Sequence, residues 1–287
     1  MMTAVSVVLA CAIATVVLGW MYFRRYAISR PPIGVFNRRD VVIMVAVIVL
    51  IPYVYIRAPL WVVAGLLSLT MLSLFSSLLE PVVRRPWAVW ALTLLLVGGD
   101  LAAARVGGKA FDAVNDTVVA LAVIGITNLW AQSGMKAQDA AVLGAFLTVY
   151  DVLATTWLPL TTDLMLRLAG HPFAPMVAWS TGMPDGWLGL GMGDLLFATV
   201  FPHVMRKAYG RKAGGAALAL NLVGIVLLIS LSASGYLRGA FPVMVLLGPS
   251  MVVQAVLWRR LRGPERTTQQ YLAADPVIRP VPASVRS

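Results

Sequence analysis

The chain has 287 residues, 60% of them hydrophobic and 12% charged, with a mean hydropathy of +0.84. A soluble domain carries roughly a quarter of its residues charged, so a water-soluble enzyme and a disordered protein are both excluded. The 23 Lys and Arg exceed the 12 Asp and Glu by 11 charges, an excess that in a membrane protein marks cytoplasmic loops rather than a nucleic-acid surface. Cys11 stands alone, and no Cys/His spacing suits zinc or an iron–sulfur cluster, so neither an internal disulfide nor a structural metal is expected; nothing else in the sequence requires an organic cofactor.

A helix needs roughly 20 apolar residues to cross a hydrocarbon core about 30 Å thick. Nine segments qualify in chain order: 3–23, 41–56, 60–79, 87–104, 117–133, 138–160, 187–205, 215–234 and 240–258. The first reads as an uncleaved span rather than a signal peptide, because no basic side chain precedes it and Arg24 and Arg25 follow it. The second and third are separated by only Arg57, Ala58 and Pro59, which predicts a tight helical hairpin. Of the 23 basic residues, 18 fall in one alternate set of loops and tail, and five in the other. Positively charged loops stay cytoplasmic, which places the N-terminus outside and the C-terminus inside across nine spans. Residues 263–287 lose the apolar run and gain Pro, Gln, Ser and Thr, as expected of a flexible cytoplasmic tail. The predicted architecture is an all-α, polytopic membrane protein of about nine transmembrane helices. It divides into spans one to five (1–134), spans six to nine (135–262) and the tail.

Ionisable side chains within spans cost on the order of 2.5–3.5 kcal/mol each on insertion scales and are functional candidates for that reason. Three acids qualify: Asp100 in the fourth span, Asp151 in the sixth and Asp194 in the seventh. With a rise of 1.5 Å per residue, Asp151 lies about 20 Å in from the cytoplasmic end of its span, hence about 10 Å from the outer edge. Asp194 lies about 10 Å below that same edge on the returning span. Two carboxyls held close in a low-dielectric site share one proton. Such a pair supplies a general base for water and a general acid for a carbonyl oxygen. Helix anchoring or a proton relay would use the same two residues. Asp100 is expected to pair with Arg105 toward the outer interface.

The residues around these acids add detail. Gly189, Gly191 and Gly193 alternate directly before Asp194, stripping side chains from one stretch of helix. A glycine inside a helix costs about 1 kcal/mol relative to alanine, so the run predicts close approach or local unwinding that opens backbone groups to an extended substrate. Tyr150 precedes Asp151 and offers a hydroxyl to a polar pocket. The ninth span opens on Pro242, Val243 and Met244, with a second proline at Pro249.

In this order, Tyr150-Asp151, Gly191-Met192-Gly193-Asp194 and Pro242-Val243-Met244 resemble the YD, GxGD and PAL motifs of the GxGD intramembrane aspartyl proteases, the presenilin and signal peptide peptidase family. The PAL match is partial. Pro249 stands seven positions after Pro242, where signal peptide peptidases carry a second proline. The resemblance implies that Asp151 and Asp194 are the catalytic pair, and that Tyr150, Gly191, Met192, Gly193, Pro242, Val243 and Met244 shape the site. It also implies an aspartic-type endopeptidase in the cell membrane that cleaves transmembrane helices or signal peptides within the lipid bilayer, without nucleic acid. The orientation is similar to that of signal peptide peptidases. The rival readings are a prepilin-type GxGD peptidase, which usually has a lysine where this chain has Leu196, and a proton-coupled transporter using all three acids. The sequence carries no sign of oligomeric state.

Overall fold

The computed structural model describes residues 2–28, 36–158, 160–181, 187–237, 241–267 and 270. Among these the chain forms ten α-helices and one pair of strands. The helices are α1 (Met2–Arg25), α2 (Arg38–Arg57), α3 (Leu60–Leu79), α4 (Pro86–Val106), α5 (Gly108–Gln132), α6 (Ala137–Val152), α7 (Leu160–Leu168), α8 (Met192–Tyr209), α9 (Arg211–Ala233) and α10 (Met244–Arg262). Strands β1 (Met176–Ser180) and β2 (Trp187–Gly191) lie between α7 and α8. A π-helical turn (Leu153–Trp157) follows α6 directly.

Local chemistry sets the boundaries. At the start of α2, the Asn37 side chain accepts from the Arg39 N–H at 2.7 Å, and Asp40 accepts from the Asn37 N–H at 2.6 Å, a reciprocal cap that satisfies two otherwise unpaired donors. Pro86 opens α4, where its missing N–H costs nothing. Gly107 and Gly108, with φ of 70° and 64°, turn the chain from α4 into α5, a conformation that side chains disfavour.

Seven helices are long and apolar enough to cross a membrane: α1 to α5, α6 with its π-helical turn, and α9. The fold is therefore helical and consistent with a multi-pass membrane protein. Helix α8 is its centre: all eleven residues from Leu195 to Met205 are buried, and burial on every side marks a core helix. Around it pack α1, α5, α6 and α9. Helix α10 lies along α6, and α3 and α4 close a smaller apolar cluster with α5 around Phe75, Val97 and Val118. Helix α2 has no buried residue.

Three expectations change. The architecture is not wholly helical, because the seventh segment begins as a strand: residues 187–191 pair with β1 and the helix starts only at Met192. The sixth segment is a single helix long and apolar enough to cross a membrane, Ala137–Trp157, but its last five residues wind as a π-helix rather than an α-helix. Asp100 does not reach toward Arg105. It is fully buried and its Oδ2 accepts from the Phe173 N–H at 2.7 Å, whereas Arg105 is exposed. Five residues along a helix are about 140° around it, so the two side chains point apart. Most of the expected tail, 268–269 and 271–287, lies outside the described residues.

Candidate active site

Helices α6 and α8 run in opposite directions from the end of the bundle where Lys136 and Tyr209 line a common groove. Asp151 stands 14 residues into α6 from Ala137, and Asp194 stands 15 residues before Tyr209. At 1.5 Å per residue these are about 21 and about 22 Å, so the carboxyls share one level. Both line a single cavity of about 430 Å³ and are partly accessible within it.

Each carboxyl is oriented by its own neighbours. Asp151 Oδ2 accepts from the Met244 N–H at 3.1 Å, and Oδ1 accepts from the Thr155 hydroxyl at 3.2 Å. Thr155 belongs to the π-helical turn, whose wider winding re-aims side chains and is common at functional sites. The Thr148 hydroxyl, one turn earlier on α6, donates to the Met244 carbonyl at 3.1 Å and to the Gly144 carbonyl at 2.8 Å. The backbone of Met244 is thus held on α6 through both its N–H and its C=O. Asp194 is the third residue of α8, in its first turn, where the unpaired N–H groups favour a carboxylate, and it accepts from the Gly191 N–H.

The strands form the cavity's second wall. In the antiparallel register Val177 faces Leu190 and Trp179 faces Leu188. The outer edge of β1 is occupied by α5: the Asn115 amide donates to the carbonyls of Ala174 and Met176, both at 3.1 Å. Asp116 accepts from the Ala178 N–H at 2.8 Å and Asp112 from the Ser180 N–H at 3.4 Å. Since these even-numbered residues of β1 turn outward, alternation makes Leu188 and Leu190 the bonding partners on β2 and turns the backbone groups of Gly189 away from β1. Gly189, Leu188 and Leu190 line the cavity. A Cβ on Gly191 would stand 3.0 Å from Asp194 Oδ2 and 3.3 Å from Met165 of α7, so glycine there preserves the carboxyl's position.

The remaining sequence candidates divide. Val243 lines the cavity, as does Phe241 before it, and Pro242 is buried at the entry to α10. Tyr150 stacks on Phe146 with ring centroids 6.0 Å apart, and Tyr150, Met192 and Gly193 are not among the lining residues. Asp100 is also outside the cavity. Sequence reasoning missed Thr148 and Thr155, which lie three before and four after Asp151 and hence on its helix face. It also misses Asp112, Asn115 and Asp116, because counting apolar residues places the start of the fifth span at residue 117. Neither a known family nor a curated protein matches the chain.

Proposed function

We propose that the chain is an aspartic-type intramembrane endopeptidase, similar to signal peptide peptidases, that hydrolyses peptide bonds within transmembrane segments or signal peptides. The observation that carries this reading is the convergence of Asp151 and Asp194, from two antiparallel helices, on one cavity bordered by an open strand edge. Water held between the carboxyls is the nucleophile. The ionised carboxyl takes a proton from it as its oxygen attacks the substrate carbonyl carbon, and the protonated carboxyl donates to the carbonyl oxygen. Collapse of the resulting gem-diol breaks the C–N bond as a proton passes to the leaving nitrogen.

A helical substrate hides its carbonyls in its own hydrogen bonds, so it must be drawn out before attack. The backbone of Gly189 offers the donor and acceptor for an extended chain, by the strand addition used in many peptide complexes, with Val243 on the opposing wall. In this reading α8 and α10 complete nine spans. The N-terminus faces outside and the basic end of the bundle faces the cytoplasm, in the cell membrane. A transporter relay would need Asp100 in the same polar space, and Asp100 is enclosed against the turn at Phe173 instead.

The test is cleavage of a reconstituted single-span substrate by the full-length protein. Asp151→Ala and Asp194→Ala are each expected to abolish cleavage while melting remains cooperative. Cleavage retained by either variant would end the proposal, and proton-driven uptake into proteoliposomes without hydrolysis would favour the transporter.

A further inference from the structure

At the opposite end of α6 from the aspartates, a groove of about 330 Å³ opens between α6 and α10. Its mouth is polar, with Lys136, Gln138, Tyr209 and Arg259, and its floor is apolar, with Ala141, Val142, Ala145, Val252 and Val256 among the lining residues. From Arg259 to Val252 is seven residues of helix, about 10 Å of depth. Val142, Ala145 and Val256 are exposed on a face of the bundle that meets lipid in a membrane-spanning protein. Tyr209 and Trp258 stack there with ring centroids 6.4 Å apart, an aromatic pair of the sort that sits at headgroup level. Glu265 also borders the groove, but both its oxygens are taken up by α6, accepting from the N–H groups of Ala137 at 2.8 Å and Gln138 at 3.2 Å. Asp139 likewise turns back to the Lys136 N–H at 3.3 Å.

We propose that this groove binds an anionic phospholipid, its phosphate between Lys136 and Arg259 and one acyl chain laid along the α6–α10 seam. Lys136 and Arg259 against Glu265 leave one net positive charge at the mouth, equal to the single negative charge of a phosphodiester, and basic side chains at this level attract anionic lipids in particular. The apolar floor runs toward the glycine crossing of α6 and α10. There Gly144 and Gly248 approach closely, a Cβ on Gly144 lying 3.6 Å from the Gly248 Cα. A chain seated in the groove therefore braces the same helix pair that joins Asp151 to Met244, although binding itself does not depend on the chemistry proposed for those residues.

The experiment is thermal unfolding of the full-length protein in neutral detergent with added phosphatidylglycerol, phosphatidylcholine or inorganic phosphate. A ligand that binds only the folded state raises the melting temperature. Phosphatidylglycerol is expected to raise it by several degrees and the other two additives by little. The double variant Lys136→Gln with Arg259→Gln is expected to lose this shift, whereas Arg84→Gln with Arg85→Gln is expected to keep it. Ala145→Trp, which fills the floor and leaves both cations, is expected to lose it as well and decides the matter if the double variant fails to fold. Equal shifts from the two lipids, a full shift from inorganic phosphate alone, or an undiminished shift in Ala145→Trp would each overturn the proposal.

Discussion

Thr148 donates its hydroxyl hydrogen to the carbonyl of Met244 at 3.1 Å, while the Met244 N–H reaches Asp151 three residues further along α6. The first residue of α10 is thereby fixed at both its polar backbone groups by a single face of α6. The single hydroxyl hydrogen is shared with the Gly144 carbonyl. Thr148→Val keeps the shape and removes the donor, and is expected to cost about 1 kcal/mol of stability with a larger fractional loss of cleavage. Thr148→Ser should retain most of both, as read by melting and by turnover of a single-span substrate.

Helices α6 and α10 can approach this closely because of glycine. A Cβ on Gly248 would stand 2.5 Å from the Gly144 carbonyl oxygen, and backbone cannot move aside as a flexible side chain can. Gly248→Ala is expected to destabilise by about 1–3 kcal/mol, as overpacking does, and to lower activity by separating Met244 from Asp151. Gly215→Ala on α9, where a Cβ meets nothing within 4 Å, is the matched control and should be neutral or stabilising by up to about 1 kcal/mol. Equal melting temperatures for the two variants would contradict this account of the crossing.

Gly191→Ala separates position from stability. The added methyl crowds Asp194 Oδ2 at 3.0 Å without filling a packed core, so melting should change little. Displacement of a catalytic group by around 1 Å costs on the order of 100-fold, so if Asp194 acts as proposed a loss of about 10- to 100-fold in turnover is expected. Unchanged turnover would mean that Asp194 is not held in a working position by this contact.

Asp100 is assigned a structural task that can be checked without any activity assay. It accepts from the N–H of Phe173, whose φ of 61° is the one positive value at a non-glycine position among the described residues. Asp100→Asn preserves an acceptor and should be mild, whereas Asp100→Leu strands a buried N–H and should cost about 1–3 kcal/mol. Asn115→Leu removes the donor to two carbonyls of the chain entering β1 and should cost at least as much.

The level shared by Asp151 and Asp194 is only partly legible in the sequence: counting along α6 from Ala137 holds, because helical rise is independent of context, but the residues counted as helix from 187 down to Asp194 are mostly strand, which rises about twice as fast per residue. The strand before Asp194 is less legible still. Gly189, Gly191 and Gly193 recur at every second position, which is the period of a strand, yet the surrounding hydropathy reads as a span. The partner of Asp100 lies 73 residues away in the chain, and no local pattern announces a bond from a span to a backbone turn. The side chains of α5 that hold β1 were hidden by a boundary: apolar counting starts the fifth span at 117, while the helix itself begins at Gly108.

The occupied outer edge of β1 has a consequence for stoichiometry. A two-stranded ribbon of apolar residues in a crowded membrane has two sides on which copies of itself or other extended chains can stack, and exposed edges of that kind invite assembly. With Asp112, Asn115 and Asp116 filling one side, the margin at Gly189 is the side left among the described residues. In the proposed reading the strand pair therefore has room for a single guest, and a substrate seated there would exclude the next until it departs.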